Sequence, residues 1–177
     1  EANSSRSKFV CCRFGNVAWS NGSVIPFWLT RKANQQELLL TDKKMSRLMF
    51  SQNDSARLIK KCIEDSSKEG GFILSKKMKT VNMFKMAKLI SNEIRVTGLR
   101  PGEKLYEDLI SEKELPYTYL DGDYIFLRNE INEDINTRLK NKLSSQNAEE
   151  MNESEMNHLI NNVNDIISSK LIDQQNY

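Results

Sequence analysis

Short apolar runs alternate along this chain with longer segments in which apolar residues repeat at helical spacing. The runs are too short for helices and predict strands at residues 8–13, 38–41, 47–50, 72–74, 94–96 and 124–127. The segments with helical spacing begin near capping residues or an early proline, namely Pro26, Ser51, Asn82, Pro101 and Asn152. Strands that alternate with helices predict an α/β fold.

The length and charge of the chain exclude several classes of protein. Its 177 residues are enough for one domain with a core of its own. Its 26 basic and 24 acidic residues leave a net charge of +2, which argues against a nucleic-acid partner. No apolar run is long enough to predict a membrane span. The start is polar and lacks an initiator Met, so we interpret the chain as a piece of something longer.

The cysteines and the single histidine predict no metal site. Cys11 and Cys12 are adjacent on a predicted strand, and Cys62 lies on a predicted helix. There is no Cys-x-x-Cys pair and only one His, so a zinc site is not expected. We interpret the cysteines as buried free thiols, which indicates a reducing compartment and predicts a cytoplasmic location. His158, on the last predicted helix, is interpreted as a surface residue.

A glycine-rich turn at residues 97–105 offers a candidate anion site. Pro101 suits the first position of a predicted helix that runs to Ile110. The free N–H groups of a helix start, together with Arg100, suit a phosphate or diphosphate. Glu103 can accept a hydrogen bond from a sugar hydroxyl or complement the helix dipole. The alternative is a solvated turn with a capped helix.

Two further polar side chains lie at the ends of predicted strands. Asn16 follows the strand at 8–13, where ligands of α/β sheets lie, although an ordinary turn explains it as well. Arg47 begins the run at 47–50. With Arg100 these side chains suggest a site for a diphosphate-bearing ligand. The chain has no Gly-x-Gly-x-x-Gly or Gly-x-x-x-x-Gly-Lys-Ser/Thr loop, and one His gives no basis for a Ser-His-Asp set.

The order of four motifs resembles a known family. They are residues 13–17 (RFGNV), 21–26 (NGSVIP), 41–47 (TDKKMSR) and 98–107 (GLRPGEKLYE). The series is similar to the carboxyl-terminal half of extended short-chain dehydrogenase/reductase enzymes that act on UDP-N-acetylglucosamine, the 4,6-dehydratases and related 4-epimerases of surface-glycan synthesis. Residues 122–124 and 144–151 are similar to the carboxyl-terminal extension of the capsular group.

The resemblance implies a role for each matching position. Asn16 would hold the substrate near its diphosphate, which Arg47 and Arg100 would grip. Thr41 would lie on the uridine side, and Glu103 on the ribose. The full sets are substrate-binding Asn16, Ser23, Val24, Thr41, Arg47, Arg100 and Glu103, and cofactor-binding Phe14, Gly15 and Val17. Residues 20–23 (SNGS) depart from the Ser-Arg-Gly-Ser of many relatives and lose a cation, which leaves the exact sugar open.

The resemblance also implies a fold and a reaction. Residues 1–127 would supply the last strands of a Rossmann-like sheet and a small UDP-sugar-binding domain, and residues 128–177 a polar extension with a final helix. A complete enzyme would use NADP or NAD, assemble as a homo-oligomer, and move a hydride from sugar C4 before water is lost across C5 and C6. The family's Gly-rich loop and Tyr-x-x-x-Lys pair come earlier, so no catalytic residue is assigned here and the chain is expected to be inactive alone. The alternatives are a UDP-sugar 4-epimerase and a non-catalytic nucleotide-sugar binding module.

Overall fold

The computed structural model describes residues 7–162 and confirms the α/β class. Strands and helices alternate through the first hundred residues, as the apolar pattern predicts. The strands are β1 (Val10–Cys12), β2 (Asn16–Val17), β3 (Leu38–Leu40), β4 (Ser46–Phe50), β5 (Phe72–Lys76), β6 (Thr80–Asn82), β7 (Ile94–Val96), β8 (Asp108–Ile110), β9 (Thr118–Asp121), β10 (Tyr124–Leu127) and β11 (Leu143–Ser144). The helices are α1 (Val24–Ala33), α2 (Gln52–Ser66), α3 (Met83–Ile90) and α4 (Glu153–Ile160), with short 3-10 turns at Glu112–Tyr117 and Ile135–Thr137.

The largest sheet has the strand order β1-β5-β10-β9. β1 and β5 are parallel neighbours, with Val10 opposite Phe72. α2 covers them, and its Leu58 and Cys62 lie in one core with Leu74. β10 and β9 add an antiparallel hairpin to the other side of β5. Among the described residues, β1 is therefore an edge strand.

A second core forms around the helices that follow the smaller sheets. α1, α3 and α4 pack with β3 around Trp28, which is 1% exposed and donates from its indole nitrogen to the Leu39 carbonyl at 2.8 Å. β3 pairs in parallel with β7, and β4 lies between β2 and β6. Trp19 has a positive φ of 63° and donates to the Leu159 carbonyl at 2.8 Å. α4 therefore fixes the turn that follows β2.

The helix predicted from Pro101 to Ile110 is wrong. Gly98 and Gly102 have φ values of 84° and 81°, so the chain turns sharply there instead of continuing into a helix. Leu109 and Ile110, which supplied the helical spacing, are buried in β8. β8 pairs with β11, a strand more than thirty residues further along the chain. A partner so distant in sequence is invisible to local spacing, and it decides the conformation here.

The region after β10 is largely irregular, as its polar composition predicts, but it is anchored. Ser144 and Ser145 are fully buried against β4, β6 and β8. α4 begins at Asn152, whose side chain accepts from the Glu155 backbone N–H at 2.9 Å in the predicted capping box. His158 is exposed, as predicted. Val163 and Ile167, predicted for the apolar face of this helix, lie outside the described residues. The division near residue 128 stays a prediction.

The three cysteines do not share one environment. Cys62 is buried and Cys12 is partly buried against the same core, but Cys11 is exposed, so the prediction of a buried thiol is wrong there. Cys11 and Cys12 point to opposite faces of β1, and only Cys12 faces the core that α2 covers. Burial, with a smaller contribution from Cys12, raises the pKa of the Cys62 thiol to about 12, which keeps that thiol protonated and unreactive.

Candidate functional site

A pocket of about 380 Å³ lies between the ends of β2, β3 and β4 and the start of α1. It gathers side chains that are far apart in sequence and that the motifs single out. Seven of the ten predicted site residues line it, namely Asn16, Val17, Ser23, Val24, Thr41, Arg47 and Glu103. Phe14, Gly15 and Arg100 do not belong to its lining among the described residues.

β2 and β4 place Asn16 and Arg47 side by side. The two strands are parallel, with Asn16 opposite Met49, two residues beyond Arg47. The Asn16 amide donates to the Leu48 carbonyl at 3.2 Å and to Glu107 Oε2 at 3.4 Å. This register brings both side chains to the pocket.

Most N–H groups of the Arg47 guanidinium already contact other groups of the protein. Its Nη1 donates to the carbonyls of Ser46 and Leu105 at 2.9 and 3.1 Å, and its Nη2 donates to the Lys104 carbonyl at 3.0 Å. Its Nε lies 3.3 Å from Glu107 Oε1. A guanidinium has five N–H donors, so these contacts leave one, on Nη2. Arg47 therefore ties the turn at residues 98–107 to β4, and only part of its fork is available to a ligand.

The turn itself is closed by Glu103. One carboxylate oxygen accepts from the Thr41 hydroxyl at 3.3 Å, and the other accepts from the Arg100 backbone N–H at 3.2 Å. The backbone of this turn is further fixed to β3, because the Gly98 N–H donates to the Thr41 carbonyl at 3.1 Å. Arg100 is exposed at the apex of the turn. The helix N-terminus expected at this place is absent, so an anion here would depend on side chains.

Ser23 supplies a polar group with no partner of its own. It occupies the N-cap position of α1, but its side chain makes no capping hydrogen bond. Its hydroxyl oxygen is buried and finds no hydrogen-bond partner among the described residues. A buried hydroxyl without a partner is costly, so its place on the pocket wall suits a ligand that supplies the missing hydrogen bond.

The three predicted cofactor residues differ in their exposure and in their packing. Val17 lines the pocket, and the Phe14 ring is 38% exposed and lies 5.9 Å from the Phe50 ring. Gly15 packs against β4 so closely that a Cβ atom would come within 2.7 Å of the Leu48 carbonyl oxygen. The protein's own backbone therefore explains the glycine.

Sequence reasoning missed two groups that shape this site. Glu107 contacts both Asn16 and Arg47, and although it stands inside the recognised motif it received no role. Ser145 is 1% exposed and accepts from the Glu107 backbone N–H at 3.0 Å. The tail motif at 144–151 was the available signal for Ser145. The motifs also assigned no role to the apolar wall, which is formed by Trp28, Leu39, Leu40, Met45, Met49 and Met83.

A larger cavity of about 620 Å³ shares only Met49 with this pocket. Both of its carboxylates are already paired with lysines, with Lys76 at 3.4 Å from Asp54 and Lys79 at 2.7 Å from Glu155. We therefore place the candidate site in the smaller pocket. Within residues 7–162, no group of three or more acidic, His or Cys side chains could hold a metal ion, and no helix is long and apolar enough to cross a membrane.

Comparison with known proteins gives relatives of two named activities. The chain is 33% identical over 128 residues to the UDP-glucose 4-epimerase of Rickettsia canadensis. The aligned region covers 68% of this chain and 37% of that protein. It is 31% identical over 121 residues to the UDP-N-acetylglucosamine 4,6-dehydratase (inverting) of Campylobacter jejuni, which covers 67% of this chain and 36% of that one. The chain thus spans about a third of the length of these curated relatives.

The fold has a match among solved structures. The X-ray structure of Pen from Bacillus thuringiensis superposes with a TM-score of 0.75 at 29% identity, over 90% of this chain and 51% of that one. A family model described as polysaccharide biosynthesis protein matches residues 1–129. Since that match extends over most of the chain, and since the fold is Rossmann-like, the chain belongs to the polysaccharide biosynthesis protein family of the extended short-chain dehydrogenase/reductase type.

Proposed function

We propose that this chain is the UDP-sugar-binding part of a nucleotide-sugar 4,6-dehydratase of the UDP-N-acetylglucosamine type, which acts in bacterial surface polysaccharide synthesis. The observation that carries the proposal is the convergence of Asn16, Ser23, Thr41, Arg47 and Glu103 on one pocket of about 380 Å³. These residues come from four separate parts of the chain, and the pocket has a volume typical of small-molecule sites.

The polar groups divide the pocket into a part that suits a diphosphate and a part that suits a nucleoside. The remaining N–H of Arg47 suits a diphosphate oxygen, and Arg100 would reach the same anion from the apex of its turn. The Asn16 amide would bond to the diphosphate by giving up one of its two N–H bonds, to Leu48 or to Glu107. The free hydroxyl of Ser23 suits the nucleotide. Thr41 and Glu103 can exchange their mutual hydrogen bond for bonds to ribose or uracil. The methionine and tryptophan wall then covers the apolar faces of the ligand.

The residues present suit contact with one edge of the nicotinamide ring of NADP or NAD, and not with the rest of the cofactor. The exposed ring of Phe14 and the pocket-lining Val17 can pack against a flat ring, whereas Gly15 is occupied by packing against β4. When bound, such a cofactor would supply hydride transfer at the sugar. The described residues hold no glycine-rich phosphate loop, so most of the cofactor would be bound by other parts of a full-length enzyme.

The second candidate activity is that of a UDP-sugar 4-epimerase, which would use the same binding groups. It is favoured by the relatives that carry that name. Incubating the full-length protein with UDP-N-acetylglucosamine and NADP, followed by NMR of the products, separates the two. A 4-keto-6-deoxy sugar supports the dehydratase, and a sugar changed only at C4 supports the epimerase. Binding without either product would indicate a non-catalytic nucleotide-sugar module.

The diphosphate assignment is tested by titrating UDP into variants of the full-length protein by calorimetry. Arg47→Ala and Arg100→Ala should each raise the UDP Kd about ten- to a hundredfold, because a hydrogen bond to a charged group contributes about 1.5–3 kcal/mol. Arg47→Lys should recover only part of the affinity. Arg31→Ala is the control, since Arg31 lies on α1 outside the pocket and bonds to the Glu37 carbonyl. Equal affinities in all variants would refute the assignment.

A homo-oligomeric full-length enzyme and a cytoplasmic location belong to the same proposal. They follow from the resemblance and from the free cysteines, respectively. Size-exclusion chromatography with light scattering checks the first, and fractionation of cells that express the full-length protein checks the second.

A further inference from the structure

One carboxylate bridges the two residues that the proposed function assigns to the diphosphate. Glu107 Oε1 lies 3.3 Å from Arg47 Nε, and Glu107 Oε2 accepts from the Asn16 amide at 3.4 Å. Asn16 and Arg47 stand on neighbouring strands, and Glu107 approaches both from the turn that precedes β8. Glu107 is not part of the pocket lining, so apart from the effect of its charge it can influence a ligand only through these two side chains.

The position of Glu107 depends on the buried serine of the tail motif. The Ser145 hydroxyl accepts from the Glu107 N–H at 3.0 Å, and the Ser145 N–H donates to the Glu107 carbonyl at 2.9 Å. The Ser145 carbonyl in turn accepts from the hydroxyls of Ser46 at 2.6 Å and Thr80 at 2.7 Å. The tail is therefore bonded on one side to β4 and β6 and on the other to the backbone of Glu107.

We propose that Glu107 is a positioning residue that orients Arg47 for the diphosphate and fixes the Asn16 side chain beside it, and that the Ser144–Ser145 tail motif holds Glu107 in place. The proposal rests on the proposed function for the identity of the ligand. It gives the tail motif, which is remote in sequence, a role at the pocket. An arginine has several rotatable bonds, and fixing its Nε restricts the plane in which its remaining N–H can meet an anion.

The negative charge of Glu107 has an electrostatic effect on ligand binding that opposes its positioning effect, and the sign of the change in affinity tells the two effects apart. A carboxylate near the site repels an anionic ligand, so a variant that only removes this charge would bind UDP more tightly. Glu107 is about half exposed, with 47% of its side chain accessible, and water weakens that repulsion. The loss of a fixed contact beside the remaining N–H of Arg47 outweighs it. We therefore expect weaker binding when Glu107 is changed.

The test compares Glu107→Gln with Glu150→Gln in the full-length protein. Gln has one acceptor oxygen, so it can serve Arg47 or Asn16 but not both, and it leaves the backbone bonds to Ser145 in place. Glu150→Gln is the matched control, because it breaks an exposed ion pair with Lys85 at 2.9 Å away from the pocket. The first readout is the NMR resonance of the Arg47 Nε–H without ligand, and the second is the UDP Kd.

In Glu107→Gln we expect the Arg47 resonance to shift and its hydrogen exchange to quicken, and the UDP Kd to rise about three- to tenfold. The KM for UDP-N-acetylglucosamine should rise by a similar factor while kcat changes less than about twofold, because the loss affects binding. A purely structural role would lower the melting temperature without this split. The control should leave both readouts unchanged.

A second comparison links the tail to the same effect. Ser145→Ala should also raise the UDP Kd, and adding it to Glu107→Gln should raise the Kd no further, because both changes break one chain of contacts. Additive effects would refute the link to the tail. An unchanged or lower UDP Kd in Glu107→Gln would overturn the positioning role. If the unmodified protein does not bind UDP, the proposed function is wrong, and the ligand-free Arg47 resonance still decides whether Glu107 orients that side chain.

Discussion

Replacing Arg47 by Ala should destabilise the protein as well as weaken ligand binding. The side chain is only 11% exposed and bonds to three backbone carbonyls. Nothing in the sequence indicated this structural role, because the motifs assign Arg47 to the ligand alone. The structure makes the same residue the main tie between β4 and the turn at residues 98–107.

The size of the effect follows from those bonds. The bond to Lys104 is exposed and can be replaced by water, whereas the bonds to Ser46 and Leu105 are partly buried. Hydrogen bonds from a charged donor contribute about 1.5–3 kcal/mol each, but the Leu105 carbonyl keeps a second bond from the Ser46 N–H. We expect Arg47→Ala to lower the free energy of unfolding by about 2–4 kcal/mol and to lower Tm accordingly.

The assay is thermal unfolding of the full-length protein combined with limited trypsin digestion. Lys104 lies on the turn that Arg47 holds, so Arg47→Ala should speed cleavage after Lys104 at least about tenfold. Arg100→Ala is the matched control: Arg100 is exposed, and its hydrogen bond to Glu103 comes from the backbone N–H that alanine retains. It should change stability by less than about 0.5 kcal/mol. Equal melting temperatures and cleavage rates in the two variants would refute the tie.

Three further predictions concern other parts of the fold. Gly15→Ala should cost about 1–3 kcal/mol in unfolding experiments, because a Cβ would meet the Leu48 carbonyl oxygen at 2.7 Å; a neutral change would contradict this packing. Burial alone would raise the pKa of Glu114, but hydrogen bonds in the capping box and the guanidinium of Arg13 at 2.8 Å outweigh burial and lower that pKa. The ionised Glu114 side chain therefore stabilises the fold. This stabilisation is complete above the ordinary Glu pKa of about 4.3 and is lost as the pH falls. Acid titration of Tm should show a shallower fall for Glu114→Gln, and identical curves would refute the assignment. The 177-residue chain expressed alone should self-associate through the free edge of β1 and exposed apolar side chains such as Ile63, so Ile63→Lys should reduce light scattering; a monodisperse parent would contradict this.

The sequence by itself determined the elements whose causes are local. The caps at Ser51, Asn82 and Asn152 each accept a hydrogen bond from a backbone N–H three residues ahead, so a few neighbouring letters are enough to place the starts of α2, α3 and α4. The apolar runs that became β1 and β5 are likewise readable, because a short apolar run bounded by polar residues is typical of a strand. The motifs identified seven residues that line the pocket.

Only the tertiary structure decided what depends on partners distant in sequence. Leu109 and Ile110 match helical spacing, yet pairing with β11 makes them a strand. Glu107 reaches Asn16 across 91 residues of sequence, and no pattern within either segment indicates that contact. Arg47 was predicted as a ligand group, and only the fold shows that backbone carbonyls take most of its donors. Local hydrogen bonds and apolar spacing are recorded in neighbouring residues, whereas these contacts exist only after strands from different parts of the chain have paired.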